Sequence, residues 1–471
     1  MIRMFATVAA LNAMSGGLGA ALLLALGAIL PPEEYGTFVL IQMAGQALFC
    51  FGADWSNHLL QRYGHEEFLK TGSLQSAIRG RYGILAVSLP AASLVLWLAR
   101  PWVLPREGAG PVTLAALYAG SLILMAHVQY LLQAIDKITV SVWLPGLSRI
   151  VALVCLGGLW ASGRLSGSTA LAILIAGGAL AALAGFWRLR PVLAVPASMR
   201  FERSVLWKYS IPIAAVTGLG FVQNWISILL VNKFCSARDT GVFALAQQMV
   251  LFTSIGLAST TPILINHFVG RLVDGFDAAA FRNFSMNYLH RMVFAWNFLL
   301  MAVLGVARSL FATILDTYAP GARVVEILLP AFGILAISTF LIPVIHVYGL
   351  TQHIMWMSFV SIAGNVTVSF WLAPKLGMTG LAWGMAAGIL LSSTLYAAIA
   401  VRKIGTGLAA LLRSLLAACP LAFVCLASAG AASRVWPWLA LAVAAAGLYL
   451  RLVPPSRAEL NDWANRFRRS S

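Results

Sequence analysis

The chain has 471 residues, of which 60% are hydrophobic and 10% charged, with a mean hydropathy of +0.86. Soluble domains carry about 25% charged residues, so a water-soluble globule is excluded and lipid must be the solvent for most of the protein. The net charge of +17 does not point to nucleic acid, because the Lys and Arg stand singly or in short clusters between apolar runs, with no solvated patch of base-reading side chains.

An apolar run of about 20 residues crosses a bilayer as a helix. The first run, 4–30, is too long for a signal-peptide core of about 7–15 residues and is read as a span. Runs 108–135, 165–187, 209–232, 240–270 and 376–401 are each long enough, and 327–374 is long enough for two. Strict apolar–polar alternation, the mark of membrane strands, is missing. The prediction is an all-α integral membrane protein with about fourteen spans, centred near 18, 46, 90, 123, 149, 177, 221, 254, 300, 338, 363, 389, 420 and 444. Roughly two thirds of the Lys and Arg fall on one set of loops and on the two tails, which places both termini in the cytoplasm. In that count Arg62, Lys70, Arg79 and Arg81 share a cytoplasmic loop, and Arg149 belongs to neither side.

"PPEEYGTFVLIQMA" follows span 1 and "SARDTGVFALAQQM" follows span 7, and both set Gly, Phe, Leu and Gln at alternate positions: Gly36, Phe38, Leu40, Gln42 and Gly241, Phe243, Leu245, Gln247. An offset of six spans puts both on the same outer face. That is the signature of a parallel repeat about an axis along the membrane normal. Each Gly is expected to form the sharp outer turn before a helix. The division expected is a six-helix lobe over 1–190, a basic cytoplasmic linker over 191–208, and a second six-helix lobe over 209–403. Helices 13 and 14 over 404–453 and a basic tail over 454–471 complete the chain.

"LPPEEYGTFVL", "FGADWSNHLLQRYG", "SARDTGVFALAQQM" and "PKLGMTGLAWG", in this order and spacing, resemble the polysaccharide-transporter branch of the multidrug/oligosaccharidyl-lipid/polysaccharide exporter (MOP, MATE-like) superfamily, the Wzx-type oligosaccharide flippases. The likeness covers nearly the whole chain. It implies a two-lobed bundle in the bacterial cytoplasmic membrane that alternates between inward-open and outward-open states. Its cargo would be an undecaprenyl-pyrophosphate-linked oligosaccharide, and its partners membrane lipids and the polysaccharide polymerase and other biosynthesis proteins. No cofactor is implied. The chain departs from the lipid II flippase branch in having no arginine-bearing motif at the end of span 1, and from cation-coupled multidrug exporters in having no acid within that span, only Asn12 and Ser15.

An ionisable group at mid-bilayer costs about 2.5–3.5 kcal/mol on insertion scales, so it is a functional candidate by default. Arg149 is the clearest case, one turn after a Pro145–Gly146 kink, and its planar donors suit a pyrophosphate or an acidic sugar. The competing role is a structural bond to carbonyls freed by the kink. Gln46, His127, Gln129, Gln133, Gln223, Asn224 and Gln247 are further candidates for a cavity wall, with interhelical bonding as the plainer alternative. Asp54 and Arg291, at cytoplasmic span ends, are candidates for a gate or for head-group capture.

Enzyme chemistry finds no footing: GxxxxGK, HExxH and GxSxG are absent, and there is no mid-membrane carboxylate pair. Cys50, Cys155, Cys235, Cys419 and Cys425 have no metal spacing. The runner-up functions are a cation-coupled multidrug exporter and, less favoured, a membrane-embedded polymerase or glycosyltransferase.

Overall fold

In a computed structural model the protein is described over residues 2–104, 109–196, 201–258, 278–347, 351–405 and 408–428. Among these residues the regular structure is helical throughout. The first six long helices are α1 (Ile2–Ile29), α2 (Pro32–Gly52), α3 (Gln75–Val103), α4 (Ala109–Ala134), α5 (Ile138–Ala161) and α6 (Gly167–Leu193). The next six are α7 (Arg203–Phe234), α8 (Ala237–Ala258), α9 (Ala278–Thr313), α10 (Gly321–Val347), α11 (Thr351–Leu376) and α12 (Met378–Ile399), followed by α13 (Leu408–Ser428). Eleven stretches of these helices are long and apolar enough to cross a membrane, so the chain is a multi-pass membrane protein. The expected span near 444 lies outside the described residues.

The packing repeats with an offset of six helices. In the first half α1 lies on α5, α2 on α4, α4 on α6, and α5 on α6; in the second α7 lies on α11, α8 on α10, α10 on α12, and α11 on α12. Helix α13 joins the second lobe against α9 and α10. Between lobes α2 meets α8, and α1–α8 is mirrored by α7–α2. The pseudo-two-fold axis therefore passes between α2 and α8. Small residues carry the closest helix contacts, as expected where lipid removes the hydrophobic drive for helix association. A Cβ on Gly380 would lie 2.6 Å from the Leu372 carbonyl oxygen, and one on Gly388 would lie 2.5 Å from that of Ser361. These glycines seat α12 on α11.

One expectation needs correcting. Gly36 and Gly241 are not turn residues: both lie inside helices, in the first turns of α2 and α8, and neither has a positive φ. The turns precede them, at Pro31 and at Cys235–Ser236. Each glycine is instead required because the two helices touch there. A Cβ on Gly36 would sit 2.5 Å from the Ala237 carbonyl oxygen and 3.0 Å from the Gly241 nitrogen. A Cβ on Gly241 would overlap the Pro32 carbonyl oxygen and sit 3.0 Å from the Gly36 nitrogen. The repeated phrase marks the point where the repeats meet.

Around that point the lobes share one apolar core, with Tyr35, Phe38 and Met43 from the first lobe packed with Trp225, Phe243 and Leu245 from the second. Tyr318, in the connection before α10, donates a 2.8 Å hydrogen bond from its hydroxyl to the Leu30 carbonyl and meets Tyr35 edge-on at 6.0 Å between centroids. Burial, reinforced by Glu33 and Glu34, pushes the Tyr318 phenol up, so it stays protonated and able to donate. At the opposite end the linker leads into α7, whose first turns pack on the first lobe: Trp207 lies 6.0 Å from Trp55, and Leu206 fills the space left by Gly80.

Candidate functional site

Arg149 projects from α5 toward α1, and Gly146, one turn earlier, faces the same helix: a Cβ there would meet that of Ser15 at an ordinary contact distance of 4.0 Å. The guanidinium donates through Nη1 to the Ser15 carbonyl oxygen and, at 2.5 Å, to the Ser15 hydroxyl. The carbonyl it meets thus belongs to α1 and is not one freed by Pro145, and α5 stays helical through that proline. Nε and Nη2 make no hydrogen bond among the described residues, and the side chain is half-buried, so part of the fork is left for a ligand.

Tyr118 of α4 extends this polar centre. It is buried, its hydroxyl accepts from Gln42 Nε2 at 3.1 Å, Gln46 reaches the same group, and Arg149 interacts with it electrostatically. Four helices of the first lobe (α1, α2, α4 and α5) thereby contribute to one uncharged–cationic cluster. Among the described residues every carboxylate lies at a helix end or in a connection, and none is bonded to this cluster.

The remaining amides are distributed differently. Gln129 donates to the Ser141 carbonyl at 3.1 Å, tying α4 to α5. Gln133 is half-buried on α4, one turn on. Gln223 donates to Ser361 at 3.1 Å, and Ser361 in turn to the Gly388 carbonyl at 2.9 Å. Gln247 is fully buried and donates to the backbone oxygen of Asn224 at 2.6 Å, leaving its own Oε1 without a partner among the described residues; Asn224 is exposed. Asn365, which sequence reasoning passed over, donates to Ser227 at 3.0 Å and accepts from Ser369 at 3.0 Å. These second-lobe bonds join α7, α8, α11 and α12, and interhelical bonds of this kind contribute about 0.6 kcal/mol each on average. Gln223→Leu is accordingly expected to shift thermal unfolding in detergent by no more than a few degrees and to leave transport intact; a tenfold loss of transport at normal expression would contradict this assignment.

His127 does not join Arg149. It is buried on α4, and its Nδ1 faces the Nη1 of Arg81. Arg81 was expected in a cytoplasmic loop; it lies two turns inside α3 and is only 1% exposed. Its Nε donates to the Ser56 hydroxyl at 3.2 Å, while Nη2 has no partner among the described residues. Arg has no acceptor, so His127 must present a bare Nδ1 and carry its proton on Nε2. Asp54 interacts electrostatically with Arg81 and accepts from Asn57 Nδ2 at 3.2 Å in the turn after α2. Glu67, fully buried in the connection before α3, accepts from the Ser76 and Ala77 amides, each at 2.9 Å. It caps the first turn of α3, where orphan amides and the helix dipole favour a carboxylate. Arg291 is half-buried midway along α9, next to buried His290. Among the described residues no His, Cys, Asp and Glu cluster could hold a metal ion.

No protein-family model matches the sequence, and no curated protein matches it. Solved structures do. The lipid II flippase MurJ in an inward closed conformation superposes with a TM-score of 0.67 at 13% identity, covering 96% of this chain and 100% of that one. The eukaryotic MATE transporter AtDTX14 gives 0.60 at 14% identity over 89% of this chain and 97% of that one. The Vibrio cholerae MATE transporter VcmN gives 0.56 at 14% identity over 86% and 97%. The chain shares its fold with these solved transporters.

Proposed function

We propose that the chain is a MOP-superfamily flippase carrying an undecaprenyl-pyrophosphate-linked oligosaccharide across the bacterial cytoplasmic membrane, with no cofactor. The observation that carries this reading is Arg149: a half-buried guanidinium in the first lobe, held by Ser15 through one nitrogen and with its other donors unbonded among the described residues, in a cluster to which no carboxylate is bonded. Such a centre attracts an anion and offers nothing to an organic cation. A pyrophosphate matches its planar fork, while the amides and hydroxyls of Gln42, Gln46 and Tyr118 suit sugar hydroxyls. The prenyl tail would stay in lipid.

By the Lys and Arg bias, the Gly36 end faces outward and both termini face the cytoplasm, so this state is closed to the outside. Alternation then requires α2 and α8 to part at Gly36 and Gly241, and cargo must bind the two states unequally for the cycle to turn. Membrane lipids and the polymerase and other enzymes of the same polysaccharide are the partners this reading implies.

Arg149→Ala and Arg149→Glu are expected to lower polysaccharide export by about tenfold or more and to let lipid-linked repeat units accumulate in the inner leaflet, with Arg149→Lys intermediate. Unchanged export in both Ala and Glu variants would sink the proposal. Restored drug efflux without any change in lipid-linked sugars would favour a multidrug exporter instead.

A further inference from the structure

Helix α3 leans on α2 and stands off from α4, which leaves a cleft of about 380 Å³ between the three helices, near the end of the first lobe that carries Gly36. Its α2 and α4 walls are cut back by Ala44, Ala115 and Ala116, and its α3 wall is built by Leu94 and Trp97. Ser93 and Arg100 are the polar side chains in the lining. From Ser93 to Arg100 the α3 wall runs about 10 Å along the helix at 1.5 Å per residue. The cleft is thus a narrow apolar slot aligned with the helices, with a guanidinium at one end.

The depth of that guanidinium identifies what it meets. Trp102, half a turn further on, is 80% exposed, and Trp97 is 64% exposed. Exposed tryptophans at a helix end mark the membrane interface, where lipid phosphates lie. Arg100 is half-buried at that same level, and everything deeper in the slot is apolar apart from the Ser93 hydroxyl. We infer that this slot is a binding site for an anionic phospholipid of the adjoining leaflet, with one acyl chain between α3 and α4 and the phosphate on Arg100. The site is separate from the Arg149 cluster and belongs to the scaffold that surrounds it. A bound chain supplies the packing that α4 does not give α3, and so steadies the least buried helix of the lobe; only 11% of the apolar part of α3 is buried within the protein.

The experiment is lipid titration of the purified full-length chain, followed by native mass spectrometry and thermal unfolding, with phosphatidylglycerol against phosphatidylcholine. Wild type should retain one phosphatidylglycerol in preference to phosphatidylcholine and be stabilised by it. Arg100→Gln should remove the head-group preference, and Ala116→Phe, at an exposed position, should fill the slot. Each is expected to weaken phosphatidylglycerol binding by about tenfold. Equal retention of both lipids by wild type would show an unselective lipid-facing surface and overturn the inference. Phosphatidylglycerol binding unchanged in both variants would also overturn it, as would occupancy by a prenyl phosphate that phosphatidylglycerol cannot displace.

Discussion

Gly241→Leu is expected to disfavour closure at the Gly36 end and, on the proposed function, to lower transport. The Cβ alone overlaps the Pro32 carbonyl oxygen, and that oxygen is backbone at the start of a helix, so it has no rotamer into which to retreat. Overpacking of this kind costs about 1–3 kcal/mol, which lowers the closed population by about tenfold to a hundredfold relative to states in which α2 and α8 are parted. Glu33 and Arg238 provide the measurement. They face each other across the lobes at 4.0 Å, and both are more than half exposed. In a background with the native cysteines replaced, Glu33→Cys with Arg238→Cys should be joined by a short bifunctional thiol reagent. Adding Gly241→Leu should abolish the cross-link while the protein still elutes as a single species. Gly36→Ala, whose Cβ meets Ala237 at 2.5 Å, should act in the same direction more weakly. A full cross-link in the Gly241→Leu protein would remove this contact from any account of gating.

The sequence carried the repeat but not its meaning. Glycine, phenylalanine, leucine and glutamine at matched positions after spans 1 and 7 mark two copies of one phrase, and the main helix pairings within each lobe follow that offset. A glycine before an apolar run reads as a turn, because local pattern says nothing of a second helix lying against it. Only three-dimensional pairing shows that Gly36 and Gly241 touch each other. Arg149 was visible as a charge where charge is costly, yet its partner Ser15 lies 134 positions away, and periodicity cannot supply that link. The second-lobe amides were legible as polar groups in apolar helices, whereas the serines and carbonyls that engage them are too common to signal anything.

Arg81 is the opposite case, because the pattern that marks it as buried is legible in the sequence. Ala77, Ile78, Arg81, Ile84, Leu85 and Ser88 form the buried stripe of α3, at the spacing of one helix face. The neighbouring Arg79 and Lys70 made the whole stretch look like a cytoplasmic loop. A basic residue in phase with an apolar stripe is a different object from one in a basic cluster, and phase rather than density separates them.

That burial makes Arg81 the largest single stability term to test. Arg81→Ala would leave His127 Nδ1 without its donor, Asp54 without the nearby cation, and a void where a 1% exposed side chain had been. Leaving a buried acceptor without its donor typically costs about 1–3 kcal/mol, a sizeable share of the whole stability of a typical domain. The expected result is loss of monodisperse protein after mild heating in detergent, with a large fall in the unfolding midpoint. Arg81→Met keeps the apolar stem and the volume, so it should cost less. Combining it with His127→Leu should cost less than the two single changes added together, because the second change removes the acceptor that the first had orphaned, and coupled neighbours deviate from additivity by about 0.5–3 kcal/mol. Strict additivity would mean that the two side chains do not support each other, whatever their separation. An unchanged midpoint for Arg81→Ala would mean that solvent reaches this cluster and replaces the bonds that Arg81 makes to His127 and Ser56.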